Sequence, residues 1–179
     1  MVYAAGDSAK VTVTALGTDY FSGRYLLPLK ISAGIKGTAA VFARGVTQDG
    51  KKVSNGKEFA FGRIDKAGGK LALGGASLDI PPGAADGSAL VTLISETPAA
   101  EAGKNAASEV EFRGEVWRIG PSTFRTGKPM TFAIPTAGTV RGAGIYRMNP
   151  EGPRFVGGAE GMTGVTAPIA GSGAYRLGY

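Results

Sequence analysis

Hydrophobic and polar positions alternate along this chain in short runs, each bounded by glycine or proline. A period of two sends successive side chains to opposite faces of an extended backbone, so every such run predicts a half-buried β-strand. The clearest pair covers residues 70–73 and 77–80, which meet across Gly74-Gly75 and end at Pro81-Pro82-Gly83. A Gly-Gly pair supplies the positive φ angles of a two-residue hairpin, and Pro-Pro-Gly cannot extend a ladder. The same pattern predicts strands at 10–16, 24–32, 38–44, 58–63, 88–95, 110–119, 130–134, 144–148, 154–156, 165–169 and 174–177. Pro28 falls off the apolar parity of its run, which marks an edge strand or a bulge. Asp49-Gly50 and Asn55-Gly56 both read as hairpin turns. Residues 96–108, rich in Ala, Glu, Lys and Pro without apolar period, read as a surface loop rather than a short helix. No segment carries a helical stripe over about eleven residues. The expected fold class is all-β: one or two packed antiparallel β-sandwiches with little or no helix.

A chain of 179 residues holds one large β domain or two small ones. The strand spacing divides it into a small immunoglobulin-like β unit at 1–66 and a second sandwich at 67–179. The 30 glycines follow no triplet period, which excludes collagen and fits many tight turns. No apolar run approaches the roughly 18 residues of a membrane-spanning helix. The opening Met1-Val2-Tyr3-Ala4-Ala5-Gly6-Asp7 lacks the basic and apolar regions of a signal peptide. The chain is therefore expected to begin beyond such a signal or to leave its cell by another route.

Composition removes most catalytic chemistry. Cysteine and histidine are both absent, so there is no thiolate, no disulfide, no Ser-His or Cys-His pair and no histidine-based zinc site. Only carboxylate chemistry remains, and no catalytic, cofactor-binding or metal-ligating residue is assigned. Asp79 and Asp86, with Asp65 or Glu96, are candidates for a calcium site, but they lack the close alternating spacing of calcium loops. Glu109, Glu111 and Glu115 share strand parity and read as a solvated face, since a glycosidase pair needs a cleft that small sandwiches seldom offer. Gly157-Gly158 and Gly171-Ser172-Gly173 have no following helix and so do not read as phosphate loops. Trp117, the one tryptophan, reads as core rather than a sugar-stacking platform, with Arg113, Glu115 and Arg118 as charged partners on an outer face. Asp7, Asp19, Tyr20 and Phe21 fit an interface strip or the plug of an open sandwich end equally well.

The net charge is +6, and its excess lies early: ten basic and five acidic residues through Lys66, then ten and nine. Only Lys51-Lys52 are adjacent among the early basic residues. The charge therefore reads as a solubilising surface rather than a polyanion site. No aromatic RNA-binding strand pattern or recognition helix is present, which argues against nucleic acid.

Residues 68–135 resemble the ZU5 domain, a β-sandwich of ankyrins, netrin receptors, death-domain scaffolds and bacterial surface proteins. The resemblance is carried by Gly68-Gly69-Lys70-Leu71, Leu78-Asp79-Ile80-Pro81-Pro82-Gly83-Ala84, Val116-Trp117-Arg118-Ile119-Gly120-Pro121, Phe124, Lys128-Pro129 and Ile134-Pro135. Residues 144–179 look like the sandwich ending that follows in bacterial versions. The resemblance implies an interaction or scaffolding module, not an enzyme. Some relatives cleave themselves at a His-Phe-Ser triplet; here Ala170-Gly171-Ser172-Gly173-Ala174-Tyr175 lacks the histidine, and no self-processing is expected. The expected role is a non-catalytic structural module of a bacterial exported or cell-envelope protein, acting by surface and edge-strand binding. Its expected partner is a protein or a neighbouring domain, with the cell-wall polymer or an acidic glycan as a further candidate and a homo-oligomer as another. The alternative is a virion or filament subunit, such as a phage decoration or tail protein, which a start at Met1 without a signal and the lack of cysteine would suit.

Overall fold

The computed structural model describes residues 2–4, 7–9, 14–15, 21–22, 36–46, 49–98, 110–138 and 141–179. Sixteen strands and no helix occur among these residues. The chain divides into two compact units: Met1–Ala33 with Thr38–Glu58, and Gly34–Gly37 with Phe59–Tyr179.

The first unit holds β1 (Val2–Ala4), β2 (Asp7–Ala9), β3 (Thr14–Ala15), β4 (Phe21–Ser22), most of β5 (Lys36–Val46) and the first half of β6 (Lys52–Ile64). Strand β1 pairs antiparallel with β2 and with β5, and β3 pairs with β4. The expected strand at 38–44 lies inside β5, and Gly50 takes the positive φ of 81° that the Asp-Gly turn predicts. The strand expected at 24–32 lies outside the described residues, as do Asp19 and Tyr20. Asn55-Gly56 is not a turn: it lies within the thirteen residues of β6. The chain has already reversed at Asp49-Gly50, and a second reversal there would leave too short a strand to hold its pairing.

In the second unit the remaining strands are β7 (Gly69–Leu73), β8 (Ala76–Ile80), β9 (Ala89–Glu96), β10 (Phe112–Gly120), β11 (Met130–Pro135), β12 (Gly144–Asn149), β13 (Gly152–Gly157), β14 (Ala159–Glu160), β15 (Gly164–Ile169) and β16 (Gly173–Gly178). They form two antiparallel sheets. One runs β13-β12-β16-β10-β9-β6, with β6 entering through Phe59–Ile64, and the other β14-β15-β11-β8-β7. The β7–β8 hairpin is the one the sequence predicts, with φ of 54° at Gly74 and 84° at Gly75.

The core lies between the sheets and follows the period-two pattern. Leu71, Leu73, Leu78, Ile80, Met130, Phe132, Ile134, Val165, Ala167 and Ile169 point inward from one sheet, and Val91, Leu93, Trp117, Ile119, Ile145, Tyr175 and Leu177 from the other. Alternating strands can bury one face each only by stacking a second sheet on it, which is why the fold is a sandwich. Trp117 is 3% exposed and takes its core place. Strand β10 bulges before it: three residues, Gly114, Glu115 and Val116, stand against Arg176 alone, with φ of 72° at Gly114. The bulge lifts Glu115 out of the ladder, so Glu115 is exposed although it shares sequence parity with Trp117. Strand β16 departs from simple alternation, being buried at Ala174, Tyr175, Arg176, Leu177 and Gly178 in succession. Its outer face is covered by side chains that form the candidate site.

Candidate functional site

Tyr146 and Arg176 are partners across β12 and β16, and Tyr146 and Phe155 are partners across β12 and β13. Partners in an antiparallel ladder share a face, and this face is the one opposite Ile145, Tyr175 and Leu177. The Tyr146 ring meets Phe155 edge-on with centroids 5.3 Å apart, and Phe112 edge-on at 5.4 Å. The Arg176 guanidinium lies 5.7 Å from the centre of the Phe112 ring. Edge-to-face aromatic pairs of this spacing contribute about 0.5–1.5 kcal/mol each beyond burial.

Two glycines make the arrangement possible. Gly144 and Gly178 are cross-strand partners on the same face. A Cβ on Gly144 would run into the Phe155 ring, and one on Gly178 would stand 2.8 Å from the Tyr146 ring. The Phe155 and Tyr146 rings therefore occupy space that a side chain at either glycine would fill. Phe155, on the outermost strand of this sheet, remains 59% exposed. A phenylalanine half in water at the end of a packed aromatic row is a rigid apolar surface with one open side.

The sheet edges differ in what they offer. Strand β13 carries Pro153, which has no N–H to donate, and β14 is two residues long. Strand β7 has neither obstacle: Leu71 and Leu73 are buried while Lys70 and Ala72 face out, and among the described residues its far edge has no partner strand in its sheet.

The carboxylates singled out from the sequence do not converge. Asp65, Asp79 and Asp86 are exposed, with the Asp65 carboxylate accepting from the Ala67 amide at 2.8 Å. Glu96 pairs with Arg118 at 2.6 Å, and Glu111 with Arg113 at 3.0 Å. Among the described residues no three acidic, histidine or cysteine side chains are grouped to hold a metal. Glu109 lies outside the described residues, and Phe21 is in β4. Ser172 is 2% exposed; its hydroxyl donates to the Ser122 carbonyl at 3.0 Å and accepts from Arg125 Nη1 at 3.0 Å.

The aromatic row was not read from the sequence, although a signal was there. Tyr146 alternates out of phase with Ile145, and Phe155 faces it from the next strand; a large aromatic at a solvent-side parity on two adjacent strands predicts a surface cluster. No known protein family and no curated protein matches this chain.

Proposed function

We propose that this chain is a non-catalytic interaction module: a rigid β-sandwich of a bacterial exported or cell-envelope protein that docks a partner protein or a neighbouring domain. The observation that carries this reading is the row of Phe155, Tyr146 and Phe112, packed over glycine and left open at Phe155. Aromatic side chains held in one rotamer give contact area at small entropic cost, and such residues dominate binding at interface centres. The edge of β7 supports the strand-addition part of the reading. The ZU5-like assignment of residues 68–135, and the immunoglobulin-like one of the first unit, belong to this reading and rest on the sequence resemblance together with the sandwich architecture.

The test is a comparison of the protein with Phe155→Ser. Sedimentation velocity reads self-association, and co-sedimentation with purified peptidoglycan reads wall binding. A monomer that binds the wall polymer, with binding weakened about tenfold or more in the variant and an unchanged melting temperature, supports the envelope module. Self-association lost in Phe155→Ser favours the virion or filament subunit instead. Neither activity in the wild-type protein removes the aromatic row as a binding surface for these partners.

A further inference from the structure

At the end of the sandwich where β12 meets the loop before β16, two guanidiniums converge on one residue. Arg147 Nη2 donates to the Ser172 carbonyl at 2.9 Å. Arg125 Nη1 donates to Ser172 Oγ at 3.0 Å, to the Ser122 carbonyl at 2.6 Å and to the Phe124 carbonyl at 3.0 Å. The flanking glycines provide the room. A Cβ on Gly173 would stand 3.0 Å from Arg147 Nε, and one on Gly171 would stand 3.4 Å from Arg125 Cδ. The Ser172 amide bonds to the Phe124 carbonyl at 3.1 Å and the Tyr175 hydroxyl to the Gly171 carbonyl at 3.0 Å, so the loop that seats both arginines is fixed. A third arginine shares their side of the sheet: Arg154, exposed, is the direct partner of Arg147 across β13 and β12.

The acceptors of Arg125 and Arg147 are all neutral oxygens. Among the described residues no carboxylate lies within ion-pair distance of Arg125, Arg147 or Arg154, whereas Arg113 and Arg118 on β10 each have one. Like charges directly opposite in a ladder repel. A guanidinium has five N–H donors in a planar fork, and here most of them have no protein acceptor. The complement to several such forks is an oxyanion, which takes two parallel charge-assisted hydrogen bonds from each.

We propose that Arg125, Arg147 and Arg154 form a binding site for one oxyanion, a phosphate or carboxylate group, seated on the Gly171-Ser172-Gly173 loop. The anion is held by side-chain guanidiniums and not by backbone amides at a helix start, so the absence of a helix does not count against it. This site is separate from the aromatic row, and it stands whether or not that row binds a partner.

The experiment is an NMR titration of the 15N-labelled protein at constant ionic strength. Sodium phosphate and sodium glucuronate are the probes and sodium chloride is the control. Saturable shifts centred on the amides of Ser172, Gly173 and Arg125 are expected with phosphate, glucuronate or both. Saturation by one alone assigns the ligand's anionic group. Arg154→Gln, at an exposed position, is expected to weaken binding about tenfold, the range for losing a charge-assisted contact. Arg147→Lys keeps the charge and loses the fork, and is expected to weaken it similarly, with the folded spectrum of each variant as the check. Shifts no different from those in chloride, or affinities equal to wild type in both folded variants, overturn the proposal.

Discussion

Two Tyr-Arg dipeptides, Tyr146-Arg147 and Tyr175-Arg176, are oriented oppositely in adjacent strands. The β12–β16 register sets Tyr146 against Arg176 on the outer face and Arg147 against Tyr175 on the inner one. Each tyrosine therefore has a cation beside it, but only Tyr175 is fully buried, at 1% exposure. Burial pushes its hydroxyl above the ordinary 10.0, while the charges of Arg147 and Arg125 pull the other way. A phenol that ionises at higher pH in the folded chain stabilises it fully below the unfolded value of about 10, and that stability is lost as pH rises through the folded value. Urea unfolding at about pH 9 and about pH 11 is expected to show a loss of stability that is smaller in Tyr175→Phe than in the wild type. Gly68 is a second exacting residue. Its φ is 75°, and a Cβ there would collide with the Ile80 carbonyl oxygen. Gly68→Ala is expected to cost about 1–2 kcal/mol from backbone conformation alone, read as a lower urea midpoint.

At the scale of elements, the inter-sheet core offers the plainest prediction. Phe132 on β11 is 0% exposed and its ring lies 5.7 Å from that of Tyr175 in the facing sheet. Phe132→Ala is expected to lower unfolding free energy by about 3–5 kcal/mol in a denaturant titration. Most strands of the second unit were legible because each keeps period two between glycine or proline stops, as β7 and β8 do around Gly74-Gly75. The misreading of Asn55-Gly56 has a physical cause: the dipeptide permits a turn without compelling one, and pairing along β6 decides the outcome. The bulge in β10 was hidden for a similar reason, since Gly114 gives no sign of how many residues will face Arg176. The arginine seat was beyond sequence reading altogether. Arg125 and Ser172 are 47 residues apart and meet only because two loops close over one end of the sheets.

For the molecule as a whole, the proposed docking role rests on three surface features. They are the aromatic row, the edge of β7 and the cationic loop end at Ser172. The chain has no histidine and no cysteine, so thiolate and imidazole chemistry are absent while its carboxylates, lysines and tyrosines remain. The aromatic row predicts its own genetics. Gly144→Val is expected to displace the Phe155 ring and abolish any binding that Phe155→Ser abolishes, with the difference seen as altered Phe155 ring resonances by NMR.

The edge of β7 also sets what kind of assembly the second unit could enter by sharing backbone hydrogen bonds. In its sheet, the opposite margin is the two-residue β14, too brief to recruit a strand. A copy that docks antiparallel on β7 of another copy thus consumes the available margin of both. That union is two-fold and self-limiting: it ends at a pair and leaves no template for a fibre through this sheet.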